Sequence, residues 1–319
     1  MIPRKLSKRF FDNWTSLGSP DIGSSFIKSA LVDDSYQLHE AQTNPTDITK
    51  LNQIVADLVN EHRPEQIGIA AGLAYSREKM LYYFDGDKRV DLLDASQAHL
   101  YIDSEAAALA LNLSLSTRFI QPPVKDPNKN LNQALVYLGT GFQFVPCTNT
   151  DRGCLPGFAL GSLMPAAGKV LSGELRNRIA KVADVPESEL RMTHLLSSRG
   201  LRYIHEAVTG RTETAHDIID GENQETFLEY SKILGRALQT MVTGSSVWGG
   251  LVLGGNFASA ISNSLNDEAI TETFNDVGRI FQHALASIPI SVIEDRYATN
   301  KAIAYGIRNN IETSVYVFE

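Results

Sequence analysis

Asp21-Ile22-Gly23-Ser24-Ser25-Phe26-Ile27-Lys28 places a glycine–hydroxyl turn between two apolar segments. The second segment continues through Ser29-Ala30-Leu31-Val32 and ends at acidic Asp33-Asp34. Alternating, β-branched residues on both sides of a polar turn predict a β-hairpin, with strands at Ile22 and at 27–32. Gly23 lets backbone approach a ligand closely, and turn N–H groups with the Ser24 and Ser25 hydroxyls can donate to phosphate oxygens. Asp21 then stands where it can hold a metal-bound water beside that phosphate. An ordinary polar hairpin turn uses the same residue types, so the rest of the chain must choose between the two readings.

Three further stretches bear on the choice. His99–Ile102 is a mostly apolar run, followed at once by Asp103-Ser104-Glu105 and then Ala106–Leu111. This reads as strand, acidic turn, helix, and open α/β sheets place ligand chemistry at such strand ends. Asp103 is a candidate general base or a helix N-cap. Glu105 reads as a solvated first-turn carboxylate favoured by the helix dipole. Ala134–Leu138, Gly139-Thr140-Gly141 and Phe142–Pro146 repeat the strand, glycine–hydroxyl turn, strand pattern. Gly250–Leu253, Gly254-Gly255 and Asn256–Leu265 read as strand, tight turn and helix. Paired glycines there either bring backbone against a nucleotide or permit tight helix–strand packing.

Between these landmarks the periodicity predicts helices over 46–61, 174–182, 188–197, 200–208, 225–242 and 270–285, with a closing helix starting at Asn300. Strands are predicted at 66–73, 81–83, 90–93 and 288–293. Pro122, Pro123 and Pro127 make 121–130 a loop, and Leu155–Ser162 is a second. Strands alternating with helices give an α/β class.

Composition sets the outer limits. The chain has 319 residues, 43% of them hydrophobic, which is enough for two domains with sizeable cores. A formal net charge of -8 disfavours a nucleic-acid surface. The most apolar windows are too short or too glycine-rich to span a membrane. Cys147 and Cys154 are the only cysteines, too few for a four-thiolate zinc site, and read as packed free thiols of a reducing cytoplasm. The histidines, His194 and His205 among them, show no metal spacing. Met1–Trp14 is basic through Arg4, Lys5, Lys8 and Arg9 and reads as an arm.

Three phosphate-type turns and one strand-end aspartate in this order resemble the bacterial glucokinase family of the actin-like ATPase superfamily. The similarity runs from about Asp21 to Gly306. Asp21-Ile22-Gly23-Ser24-Ser25-Phe26 is similar to the family's Asp-x-Gly-Gly-Thr-Asn, and Ile102-Asp103-Ser104-Glu105-Ala106 to its Asn-Asp-Phe-x-Ala. Gly139-Thr140-Gly141 matches the second phosphate turn, Leu155-Pro156-Gly157 the start of the sugar loop, and Gly249–Gly255 the adenosine-side turn. The resemblance implies a two-domain, ribonuclease H-like α/β fold with an interdomain cleft. It places a small domain at 18–105 plus 303–319, a large domain at 106–302 and an arm at 1–17. It also implies ATP and Mg²⁺ as cofactors, a small hydroxylated substrate such as a sugar or polyol, and a cytoplasmic homodimer. Asp103 becomes the general base. Asp21, Gly23, Ser24, Ser25, Gly139, Thr140, Gly141, Gly254 and Gly255 hold the nucleotide, with Asp21 on the metal side.

The departures from the pattern fall on the sugar contacts. Ile102 stands for the family's Asn, Phe158 for the loop Glu, Gly161 or Ser162 for the loop His, and Thr193 for a further Glu. Gly157, Phe158, Ser162 and Thr193 therefore mark the substrate side, without the carboxylates that bind glucose strongly. Two functions follow from this: an ATP-dependent kinase of a sugar or similar hydroxylated small molecule, with glucose itself disfavoured, and a non-catalytic homologue that binds a ligand or regulatory partner.

Overall fold

The computed structural model describes residues 17–18, 21–22, 26–45, 57, 60, 66–71, 75–77, 80–85, 88–94, 98–124, 131–157, 159–161, 164–166, 170–171, 173–221, 223–245 and 247–311. The chain divides into two compact units, Met1–Ala110 with Thr299–Glu319, and Leu111–Ala298. The N-terminal arm and the helix expected over 46–61 lie outside the described residues, apart from single positions.

In the first unit the opening hairpin forms. β1 (Leu17–Gly18) and β2 (Asp21–Ile22) run antiparallel to β3 (Phe26–Val32) in one register, with Leu17 opposite Val32 and Ile22 opposite Ile27. β4 (Leu38–Pro45) pairs with the outer side of β3, a strand whose polar sequence gave no apolar signal. Asp33 closes the β3–β4 turn. Desolvation pulls its carboxyl pKa upward, but His39, the Gln37 N–H and Ser35 bind the carboxylate and hold it down at about 2. On the other side, β1 and β2 pair in parallel with β5 (Gln66–Ala71). β6 (Tyr75–Arg77), β7 (Met80–Asp85) and β8 (Lys88–Asp94) form a separate antiparallel sheet. The chain then returns as β9 (Ala98–Tyr101), parallel to β5, and enters α1 (Asp103–Ala108).

The second unit is built on one six-stranded sheet. β10 (Thr117–Gln121), β11 (Gln133–Leu138), β12 (Phe142–Thr150), β13 (Gly153–Pro156), β14 (Gly250–Gly254) and β15 (Ile290–Ile293) lie in the order β10-β15-β14-β11-β12-β13. β11, β14 and β15 are parallel, so their carboxyl ends share one edge. β10 and β13 are edge strands that sequence reading missed, because Thr117, Arg118 and Gln121 interrupt one and four residues are too few in the other.

Helices α2 (Gly173–Val182), α3 (Ser198–Thr209), α4 (Ala215–Asp220), α5 (Gln224–Ser245), α6 (Asn256–Ile261), α7 (Asp267–Phe274) and α8 (Arg279–Ala286) complete the unit. Leu175, Ile204, Leu234, Ala258 and Ile270 from five of them meet Ala134, Val136 and Leu138 of β11 in one apolar core. α9 (Ala298–Arg308) leads back to the first unit, where Arg308 pairs with Asp34 and Tyr305 packs on Tyr36 with ring centroids 5.9 Å apart.

Three helical expectations need correction. The helix expected over 270–285 is broken at 275–278. Gln239 Nε2 donates to the carbonyls of Thr273, Phe274 and Asp276, and Asn275 Nδ2 donates to Thr271, so the end of α7 is capped from outside. The helix expected over 188–197 is instead two 3₁₀ turns, Glu187–Glu189 and Met192–His194. Its backbone is recruited elsewhere: Ala166 N–H donates to the Leu190 carbonyl and Met192 N–H to the Met164 carbonyl, both at 2.8 Å. The run expected as one helix over 256–265 tightens to 3₁₀ at Ser262–Ser264. Glu105, expected in solvent, is buried.

Cys147 and Cys154 are packed free thiols. A hydrogen bond between the two thiols, together with burial, pushes Cys147 well above the usual thiol range. His205 is buried and satisfied, with Nδ1 2.8 Å from Thr226 Oγ1. No described helix is long and apolar enough to cross a membrane.

Tyr230 on α5 is fully buried, with its ring edge-on to Phe257 at 6.1 Å. Its hydroxyl finds no hydrogen-bond partner among the described residues. Tyr230→Phe keeps the ring and removes an unsatisfied polar atom, which should stabilise the fold by about 1 kcal/mol. The thermal midpoint followed by circular dichroism is expected to rise by about 2–4 °C. A fall would show that the hydroxyl has a partner.

Candidate active site

The first unit brings Asp21 and Asp103 to one end of one sheet. Asp21 is level with Ala70, and Ala70 is level with Tyr101, along strands that run parallel. Asp103 follows Tyr101 by two residues, so both aspartates stand at carboxyl ends, on strands about 10 Å apart. Gly23, Ser24 and Ser25 lie outside the described residues.

Asp103 is the first residue inside α1, and Ile102 holds the N-cap position with no side-chain cap bond. Asp103 is therefore not the helix cap that its sequence position also allowed. Its Oδ1 accepts the N–H of Ser104 at 2.7 Å. The helix behind it is buried on all sides by Ser104, Glu105 and three alanines, which is why so short a segment is stable there. Burial pushes the Asp103 carboxyl up to about 6, with the Ser104 N–H opposing the shift. A carboxylate with that proton affinity is ionised at neutral pH and accepts a proton more readily than a solvated aspartate.

The second unit gathers the other turns at the carboxyl edge of its sheet. Gly139 N–H donates to the Gly141 carbonyl at 3.0 Å, and the Gly139 carbonyl accepts the N–H of Ser198 at the start of α3 at 2.9 Å. The Gly-Thr-Gly turn is thus fastened to a helix whose own cap is Ser197, which accepts the Gly200 N–H. Thr140 is exposed at its tip. Thr193 Oγ1 lies 3.7 Å from where a Cβ on Gly141 would be.

Gly254 stands level with Tyr137 on the neighbouring strand. Gly255 has φ +96, and a Cβ there would lie 2.5 Å from the Leu138 carbonyl oxygen. The Gly254-Gly255 turn therefore presses on Leu138, the residue that leads into the Gly139–Gly141 turn. Tyr137 lies against both: its two ring edges come 3.3 Å from a Cβ built on Gly139 and 3.1 Å from one on Gly255.

The loop after β13 runs back beside β12. Gly157 N–H donates to Pro146 at 2.7 Å, about 13 Å along the strand from the Gly-Thr-Gly turn. The approach comes at Gly161, where a Cβ would lie 2.8 Å from Gln143 Cα and 3.0 Å from the Phe142 carbonyl. Phe158 and Ser162 lie outside the described residues. The structure thus gathers Gly139, Thr140, Gly141, Thr193, Gly254 and Gly255 around one edge of the sheet, and sets Tyr137 and Gln143 beside them. The only sequence signal of Tyr137 and Gln143 was alternation, since both fall at non-core positions of strands named for their apolar residues. Among the described residues no cluster of His, Cys, Asp or Glu could hold a metal ion on its own.

The model of the family described as Glucokinase matches residues 19–300. The chain belongs to the glucokinase family. Solved structures share its fold. Glucokinase from Balamuthia mandrillaris in complex with glucose superimposes with TM-score 0.74 at 14% identity, over 92% of this chain and 94% of that one. A ROK family glucokinase from Streptomyces griseus in complex with glucose and AMPPNP gives 0.60 at 14%, over 91% and 98%. A ROK family transcriptional regulator homologous to the E. coli MLC protein gives 0.62 at 12%, over 93% and 79%. These neighbours establish the two-domain actin-like α/β fold for this glucokinase-family chain. No curated protein matches its sequence.

Proposed function

We propose that the chain is an ATP-dependent phosphotransferase acting on a hydroxyl of a sugar or similar small molecule. The observation that carries this reading is Asp103: a desolvated carboxylate at the end of a parallel strand, with a pKa raised to about 6, in a position that needs no helix cap. Asp103 takes the proton of the attacking hydroxyl as the phosphoryl group is transferred. Gly139, Thr140 and Gly141 supply backbone and hydroxyl donors to the nucleotide's phosphates, while Gly254 and Gly255 border its adenosine. Bound with the nucleotide, Mg²⁺ would supply neutralisation of phosphate charge. Mg²⁺ in such sites needs only one or two carboxylates beside phosphates and waters. Asp21 is the residue that would hold one of those waters.

A non-catalytic, ligand-binding or regulatory role is the second reading. The Tyr137 ring favours it, because it lies against the two glycines that a nucleotide would approach. Calorimetric titration with ATP and Mg²⁺ tests the nucleotide half of the kinase reading. Saturable, Mg²⁺-dependent heat is expected, and its absence would favour the second reading.

A further inference from the structure

Gln143 has no part in the roles above, yet its position is unusual. It stands directly opposite Tyr137 across the β11–β12 ladder, one pair in from Leu138 and Phe142, which flank the Gly-Thr-Gly turn. The alternate residues Ala134, Val136, Leu138, Phe142 and Phe144 fill the helix-covered core, so Tyr137 and Gln143 occupy the other face. Beyond Gln143 lies the Gly161 backbone, close enough that a Cβ there would collide with the Gln143 Cα. Gly161 is held there because Leu160 and Phe144 exchange backbone hydrogen bonds.

The Gln143 amide oxygen is buried and receives no hydrogen bond among the described residues. Orphaned acceptors of this kind are rare in folded chains, because they lose water without gaining a donor. This one lies between the phosphate turn and the returning loop, with an aromatic ring on one flank. An amide acceptor beside an aromatic ring is the chemistry that reads a sugar: the ring packs a C–H face and the amide takes a hydroxyl.

Resting on the kinase reading, we infer that Gln143 is a specificity-determining residue of the acceptor subsite, its Oε1 accepting a hydrogen bond from a ring hydroxyl of a hexose. The test is calorimetric titration of wild type, Gln143→Leu and Gln143→Glu with D-glucose, D-mannose, D-galactose and N-acetyl-D-mannosamine, and separately with ATP and Mg²⁺. The hexose that binds wild type best is expected to lose about tenfold or more in affinity in Gln143→Leu. Gln143→Glu keeps an acceptor and should stay within about threefold. Affinity for ATP with Mg²⁺ should be unchanged in both variants, which a merely structural role would not predict. The thermal midpoint of Gln143→Leu should not fall, since an orphaned polar atom is replaced by an apolar one.

Equal hexose affinity in wild type and Gln143→Leu would overturn the inference, as would a parallel loss of nucleotide affinity. If no hexose binds wild type, the inference falls. Retained nucleotide binding would then leave the kinase reading standing with another acceptor, and loss of both would end it as well.

Discussion

Asp103→Asn is expected to lower sugar-dependent phosphoryl transfer by about 10²–10⁴-fold, the range for loss of a positioned general base. The same variant should be more stable than wild type at neutral pH. The Asp103 carboxyl binds its proton more tightly in the folded chain, at about 6, than at its unperturbed value of 3.8. Within that window the folded chain holds the proton after the unfolded chain has released it. Stability therefore falls as pH rises from 3.8 to about 6, and the ionised carboxylate costs up to about 3 kcal/mol above it.

Asparagine is isosteric and uncharged, so it removes that cost. Thermal midpoints measured at pH 7 should be higher for Asp103→Asn, and the difference should shrink as the pH approaches 4. Activity of the wild type should rise with pH through about 6 as the base ionises. A helix-capping role predicts no gain, because asparagine caps a helix about as well as aspartate. Gain of stability together with loss of transfer therefore separates the two.

Gly255→Ala is expected to destabilise the chain by about 3 kcal/mol or more, lowering the thermal midpoint by about 6 °C or more. Two effects add. The backbone at φ +96 is strained for any residue with a Cβ, and that Cβ would lie 2.5 Å from the Leu138 carbonyl, a backbone atom that cannot move aside. Gly210→Ala provides the comparison. Gly210 has φ +73 at the end of α3, with nothing within 4 Å of a built Cβ, so it should lose only the conformational part, about 1 kcal/mol. Chemical denaturation of the two variants, read by circular dichroism, measures the difference. Equal losses would mean that the Gly254-Gly255 turn does not press on Leu138. Because the collision also displaces Tyr137 and Leu138, Gly255→Ala should weaken nucleotide binding, whereas Gly210→Ala should not.

What the sequence made legible follows from how locally each feature is encoded. The hairpin at 21–32, the strand before Asp103 and the strands on either side of Gly139–Gly141 are apolar runs bounded by turn residues, and each forms where expected. The helix break at 275–278 was hidden, because the capping donor, Gln239, lies far away in sequence. The segment at 187–194 has helical spacing but spends its backbone bonds on 164–166, a long-range pairing that no local pattern records.

Burial of Glu105 was missed for a similar reason: a charge in a first turn reads as solvated unless its surroundings are known. The glycines at 254–255 were legible as a turn. That Gly255 is held against Leu138 is a contact between residues far apart in sequence, which no local pattern records. Tyr137 and Gln143 were invisible because an aromatic and an amide at the end of a strand carry no periodic signature of their own.

The account turns on whether the chain moves phosphate from ATP to a sugar. Phosphorus-31 NMR of the purified chain with Mg²⁺, ATP and each hexose in turn measures this directly. The account predicts ADP and a sugar phosphate appearing in equal amounts with at least one hexose, and neither with Asp103→Asn. An unchanged ATP spectrum with every sugar, from a chain that binds ATP and Mg²⁺ saturably, would contradict it and leave the ligand-binding, non-catalytic reading in its place.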